Sequence, residues 1–235
     1  EPFRILEVLY GTLTLEDITL QGGDVGTEGW GGAILVENAS LNMTNVQVKN
    51  SKAHNGGGLC LTNGGLNIRD SLFSGNEAGF SGGGVYSTTA KINIDNTKFI
   101  ENTNDGLGAG LFAERITLSI TDSLFVGNVN NGTHGGGFSI AKAQATILRS
   151  QFYRNVAGSN GGGASFRNFI LSEDIAESEA DPLLVMEQSE FYQQYSTQIP
   201  GFRETLVAQP SGAFQAIKLE IQIHDSCFAG NVTHF

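Results

Sequence analysis

Four charged residues have types and spacings that could support acid–base chemistry: Arg69, Asp70, Asp95 and Asp122. Arg69 and Asp95 lie 26 residues apart, and Asp70 and Asp122 lie twice that far apart. In a chain that repeats every 26 residues, Arg69 and Asp95 become neighbours, and an oppositely charged pair on adjacent strands reads as an ordinary cross-strand ion pair. The column through them runs Thr44, Arg69, Asp95, Thr121, Leu148, Glu187, His224. The next column runs Asn45, Asp70, Asn96, Asp122, Arg149 and alternates amides with acids. It never sets two carboxylates on neighbouring repeats, as paired acid–base work requires. The expectation is that none of these residues is catalytic. If the chain is an enzyme, these four are the candidates.

The remaining reactive side chains do not converge. His54 and His134 occupy similar positions three repeats apart, roughly 14 Å at strand spacing, and His224 and His234 lie further off. A shared zinc needs ligand atoms within about 2 Å of the metal, so the histidines read as exposed loop residues. Cys60 and Cys227 lie beyond disulfide reach of each other and read as half-exposed thiols. The run SEDIAESEAD at 172–181 contains Glu173, Asp174, Glu177, Glu179 and Asp181. Glu173, Asp174, Glu177 and Asp181 are calcium candidates, although the spacing matches no EF-hand and a solvated acidic loop is the preferred reading. Tripeptides at Asn38, Asn42, Asn131 and Asn231 fit the N-glycosylation acceptor pattern. Asn231 is also a predicted ladder residue, where a glycan would conflict with stacking.

What positions all of these is a repeat. The residue before each post-glycine apolar pair falls at Ala33, Gly58, Gly84, Gly110, Gly137, Gly163 and Ala213. The Phe of each Phe-x-x-Asn falls at 73, 99, 125, 152, 191 and 228, with Leu20 and Val48 in the equivalent earlier places. Two independent markers give one period near 26, the signature of a stacked array. Each unit contains three short strands: one after the glycines (Leu59-Cys60-Leu61), one alternating (Leu66-Asn67-Ile68) and one centred on the Phe. Period-2 alternation marks strands with one buried face. A unit this small cannot bury its apolar side alone, so copies stack in parallel.

The expected fold is therefore an all-β, single-stranded right-handed parallel β-helix of about eight coils of about 26 residues. Handedness follows from the preference for right-handed crossovers. Asp70, Asn96 and Asp122, each followed by Ser or Thr, are expected at corners. Asn76, Asn102, Asn128 and Asn155 are expected to stack along the axis and to accept left-handed φ. Insertions near 170–182 and 195–210 break the pattern of one domain spanning 1–235. Ile199, Phe202 and Leu206 could pack the second insertion onto the rod or contact a partner. After the glycines, Leu35, Cys60, Tyr86 and Phe112 form an outward column, expected to be an exposed apolar stripe and a candidate interface, unless the preceding loops cover it.

Composition narrows the function classes. A net charge of −11 opposes nucleic-acid and anionic-membrane binding. Thirty-two glycines with only four prolines are unlike collagen. No run of 18 apolar residues is present for direct membrane insertion. The chain begins and stops within its own pattern, which is expected of a segment of a longer protein whose neighbouring domains would abut it.

The motifs carry a resemblance. Gly31-Gly32-Ala33-Ile34 and its variants Gly56-Gly57-Gly58-Leu59 and Gly82-Gly83-Gly84-Val85 recur with FSGN at 73–76, FIEN at 99–102, FVGN at 125–128, FYRN at 152–155 and FAGN at 228–231. This pattern resembles the GGA[ILV] and FxxN repeats of the chlamydial polymorphic outer membrane proteins. The resemblance implies a right-handed β-helix displayed outside the cell and used in adhesion. The expected function is a non-enzymatic cell-surface or secreted scaffold that binds a surface protein or glycan, with no cofactor. Pectin-lyase-like enzymes share the architecture, so a polysaccharide lyase, hydrolase or epimerase is the first alternative. A structural filament unit is the second.

Overall fold

The computed structural model describes residues 2–159 and 161–167, and strand segments within 183–187, 189–192, 195–196, 214–217, 220–224, 227–229 and 232–233. All described secondary structure is β, arranged as a parallel β-solenoid with three sheets running along its length. About six turns are regular, against the eight expected; beyond Ala164 further strands continue the same ladders.

In four successive coils the two strands expected at the start of the coil are joined into one, whereas Ile34–Glu37 and Ala39–Thr44 stay separate as expected. Leu59–Arg69, Val85–Asp95, Leu111–Thr121 and Phe138–Leu148 each run for 11 residues. They bend in the middle at Asn63, Thr89, Arg115 and Lys142, which have φ between 49° and 55°. The register is that of the repeat: Thr44, Arg69, Asp95, Thr121, Leu148, Glu187 and His224 form one column. The second sheet holds the Phe strands, such as Leu72–Ser74 and Lys98–Ile100. The third sheet was not anticipated. It is built from short segments such as Glu77–Ser81, Thr103–Asn104 and Val129–Asn130, some of only two residues, too short to show alternation.

Alternate residues point inward and fill the core. Phe73, Phe99, Phe125 and Phe152 are fully buried and stack at centroid distances of 5.2, 4.6 and 4.9 Å, with planes within 11°. Offset stacking of this kind adds to the burial of ring area. Beside the rings runs a buried amide ladder. Asn102 Nδ2 donates to Phe73 O (3.0 Å) and to Asn128 Oδ1 (3.0 Å). Its Oδ1 accepts from Asn76 N (3.1 Å) and Asn76 Nδ2 (3.0 Å). Asn128 repeats the pattern toward Phe99 O and Asn155. Both donors and both lone pairs of the Asn102 and Asn128 amides are used, which removes the cost of burying them. The fourth residue of Phe-x-x-Asn is therefore fixed by the backbone it must satisfy.

These asparagines are not left-handed, contrary to expectation. The residue before each one takes that conformation: Gly75 (φ 62°), Glu101 (53°), Gly127 (61°) and Arg154 (52°). The expected Asp/Asn corner is left-handed at Asp70 (51°), Asn96 (43°) and Asp122 (50°), where short polar side chains tolerate it. The following Ser71, Thr97 and Ser123 are buried. Each hydroxyl donates to the carbonyl two residues back, as from Ser71 to Arg69 O (2.6 Å), and accepts a backbone N–H from the coil below, as from Val46 N (3.1 Å).

The proposed insertion at 170–182 lies outside the described residues, as do the calcium candidates Glu173, Asp174, Glu177 and Asp181. The strands on either side of it keep register, Ala141 with Arg167 and Ala145 with Leu184. The second predicted insertion begins inside a strand, because Tyr195–Ser196 pairs with Val156 and Ala157. Its remainder, with Ile199, Phe202 and Leu206, lies outside the described residues, as do Asn231 and His234.

Candidate functional site

The four acid–base candidates sit on an outer corner of the rod. Arg69, Asp70 and Asp122 are exposed and Asp95 is half-buried. Arg69 Nε approaches Asp95 Oδ2 at 3.4 Å, the expected cross-strand pair. In the adjoining column, Asn45 Nδ2 donates to Asp17 Oδ1 (2.7 Å) and Asn96 Nδ2 donates to Asp70 Oδ1. Arg149 donates to both carboxylate oxygens of Asp122, at 2.8 and 2.7 Å. Asp70 and Asp122 stay two coils apart, about 10 Å at strand spacing. The hydrogen bonds and charge of Arg149 hold the Asp122 carboxyl below its ordinary pKa. An acid held ionised in this way accepts hydrogen bonds and does not donate a proton near neutral pH. Among the described residues, no group of three or more His, Cys, Asp or Glu is placed to hold a metal ion.

The apolar column is outward but not exposed, which corrects the expected stripe. Leu35, Cys60 and Phe112 are buried and Tyr86 is half-buried. None of the four belongs to the central apolar cluster. The glycine turn itself covers them. A Cβ on Gly56, whose φ is 64°, would lie 2.9 Å from Cys60 Cα, and one on Gly108 would lie 3.0 Å from Phe112 Cα. The first glycine of each turn lets the chain fold back onto the outward residue four positions later.

Trp30 completes the cover. Its coil is that of Leu35, and Trp30 pairs with Asn55 just before the glycines. The indole centroid lies 6.0 Å from that of Tyr86, two coils on, so the ring spans the intervening coil, that of Cys60. Tyr86 in turn stacks on Phe112 at 5.3 Å. Burial pushes the Cys60 thiol up to about 12, aided by Glu37. This is an inert thiol and not the half-exposed one anticipated. Burial likewise raises the Tyr86 phenol to about 12. The side chain of Cys227 lies outside the described residues.

Trp30 was missed in the sequence because it precedes the glycines, outside the three strands that the repeat highlighted. The available signal was its position: one residue before Gly31, in the column of Asn55, Ser81, Leu107 and His134. His54 and His134 are half-buried, not exposed, and His54 stacks on Phe80 at 5.7 Å. Of the sequons, Asn42 Oδ1 accepts from Asn67 Nδ2 (2.7 Å) and Asn38 Oδ1 accepts from Asn63 Nδ2 (3.3 Å), both within side-chain ladders. Asn131 is exposed on a loop and donates to Asp105 Oδ1 at 3.1 Å.

Two comparisons with known proteins bear on identity. No protein-family model matches the chain, and no curated protein matches it.

Proposed function

We propose that this chain is a non-enzymatic β-helix segment of a cell-surface or secreted protein, a rigid scaffold that carries a binding surface. The observation that carries this reading is the pair of interior ladders. Four buried Phe rings and four buried Asn side chains lock each coil to the next through rings and hydrogen bonds. Such continuous nearest-neighbour coupling makes a stiff rod that presents outward residues at fixed spacing. The GGA[ILV] and FxxN pattern supports display outside the cell by its resemblance to the chlamydial repeats. Partners in this reading are a glycan or a surface protein.

The outer corner supports the non-enzymatic side of the reading, since Asp122 is clamped by Arg149 and Asp70 is bonded to an amide. The test is depolymerisation of a panel of neutral and acidic polysaccharides, with and without calcium, following new reducing ends and unsaturated products. The expected result is no turnover by well-folded protein. Turnover that disappears in Asp95→Ala or Asp70→Ala would establish the lyase or hydrolase alternative instead.

A further inference from the structure

We infer that the half-exposed Trp30–Tyr86 ring pair, together with the column of residues beside it, is a docking site for a neutral polysaccharide. This inference rests on the binding-scaffold reading and names its ligand class. Trp30 is 40 % exposed, yet it is held in place. Arg4 donates to Trp30 O (3.0 Å) and Gly31 O (3.2 Å), and Tyr86 is braced by Phe112. Two residues further along each strand, on the same outward face, Glu37, Thr62, Thr88 and Glu114 stand in register on successive coils. All four are half-buried. At strand spacing this column lies about 7 Å from the ring column and repeats about every 4.8 Å.

A row of rings beside a row of hydroxyls and carboxylates matches the two faces of a sugar chain. Sugar C–H faces stack on aromatic rings, and sugar hydroxyls donate to oxygen acceptors. Glu37 and the net charge of −11 disfavour an anionic chain, whereas the charge of Glu114 is offset by Lys142 at 3.7 Å and Arg115 at 3.9 Å. A peptide adding as a strand needs a free sheet edge. The strands here, Leu59–Arg69 and Val85–Asp95, are paired on both sides.

The chain has one tryptophan, so its fluorescence reports on this site alone. Intact protein is titrated with laminarin, galactomannan and xylan as neutral probes, with polygalacturonate as an acidic probe and with polylysine as a cationic one. The expected result is a saturable change in Trp30 emission with at least one neutral polymer and none with the other two. By calorimetry, Tyr86→Ala and Trp30→Ala each weaken that binding about tenfold, the worth of a lost ring contact. Trp30→Phe largely preserves it, and Tyr192→Ala, an exposed ring on another sheet, leaves it unchanged. Variants are compared only where circular dichroism matches the parent. Binding that persists undiminished in both ring variants overturns the site while leaving the scaffold reading intact, as does a response to polylysine alone. No response to any neutral polymer also overturns the inference. Release of shortened sugar products overturns the scaffold reading itself.

Discussion

Two columns of asparagine run along this rod, with the same side chain at the same axial spacing. Asn76, Asn102, Asn128 and Asn155 lie inside, whereas Asn42, Asn67 and Asn93 lie on the outer face of the first sheet. Both columns form amide-to-amide bonds; on the outside, Asn67 donates to Asn42 and Asn93 donates to Asn67, both at 2.7 Å. The difference is what an amide loses when its partner goes. Outside, water replaces a missing bond at little cost. Inside, each removed amide orphans backbone and side-chain groups that nothing else can reach. The same chemistry is therefore structural in one column and nearly neutral in the other.

The largest expected effect is at the interior column. Asn102→Ala removes four hydrogen bonds and strands Phe73 O and Asn76 N in the core. With about 1–3 kcal/mol for each orphaned group, partly relieved by relaxation, the loss is on the order of 4 kcal/mol in chemical denaturation. A loss below about 1 kcal/mol would erase the contrast between the columns. Phe99→Leu tests the apolar ladder beside it. It keeps a hydrophobe but vacates ring volume between Phe73 and Phe125, and about 1–2 kcal/mol is expected.

A third test uses alkaline pH, and it separates a buried thiol from an exposed one. The Cys60 thiol ionises at about 12 in the folded chain against 9.0 for the free group. The folded state thus keeps a proton that the unfolded state releases, and stability falls as pH rises through that window. By pH 11 the loss assignable to Cys60 is on the order of 3 kcal/mol, read as a steeper decline of Tm above pH 9 than in Cys60→Ser. In a Cys227→Ser background, the remaining thiol should resist labelling until the protein unfolds.

Smaller effects belong to the exterior. Asn67→Ala should change stability by less than about 0.5 kcal/mol. The Asp122–Arg149 pair should contribute above pH 3.8, the ordinary carboxyl value, because the folded pKa is depressed. That contribution is lost as pH falls through the depressed value, and it is screened by salt. Comparing acid titrations of the parent and Arg149→Met at low and high salt checks both the sign and the screening.

Much of this fold was legible in the chain. Two markers fixed the period, and the period fixed which residues share a column, down to Thr44, Arg69, Asp95 and Thr121. The separation of acids at the corner followed from the same count, because parallel in-register stacking converts sequence distance directly into neighbours. Alternation also showed which side of a strand Cys60 and Phe112 would take. It did not show whether that side met water. The cover comes from the backbone of the glycine turn and from Trp30, on the far side of that turn from the strand. Likewise, the third sheet and the true left-handed positions depend on where two-residue strands end, which leaves no periodic trace.

The sequence by itself thus determined the repeat, the stacking register and the identity of the ladders, because each is a one-dimensional property of spacing. Only the tertiary structure decided which outward residues are buried, which thiol is inert and which rings remain at the surface. Those outcomes depend on how the turn before each strand folds back over it, a contact between segments that the period alone does not encode.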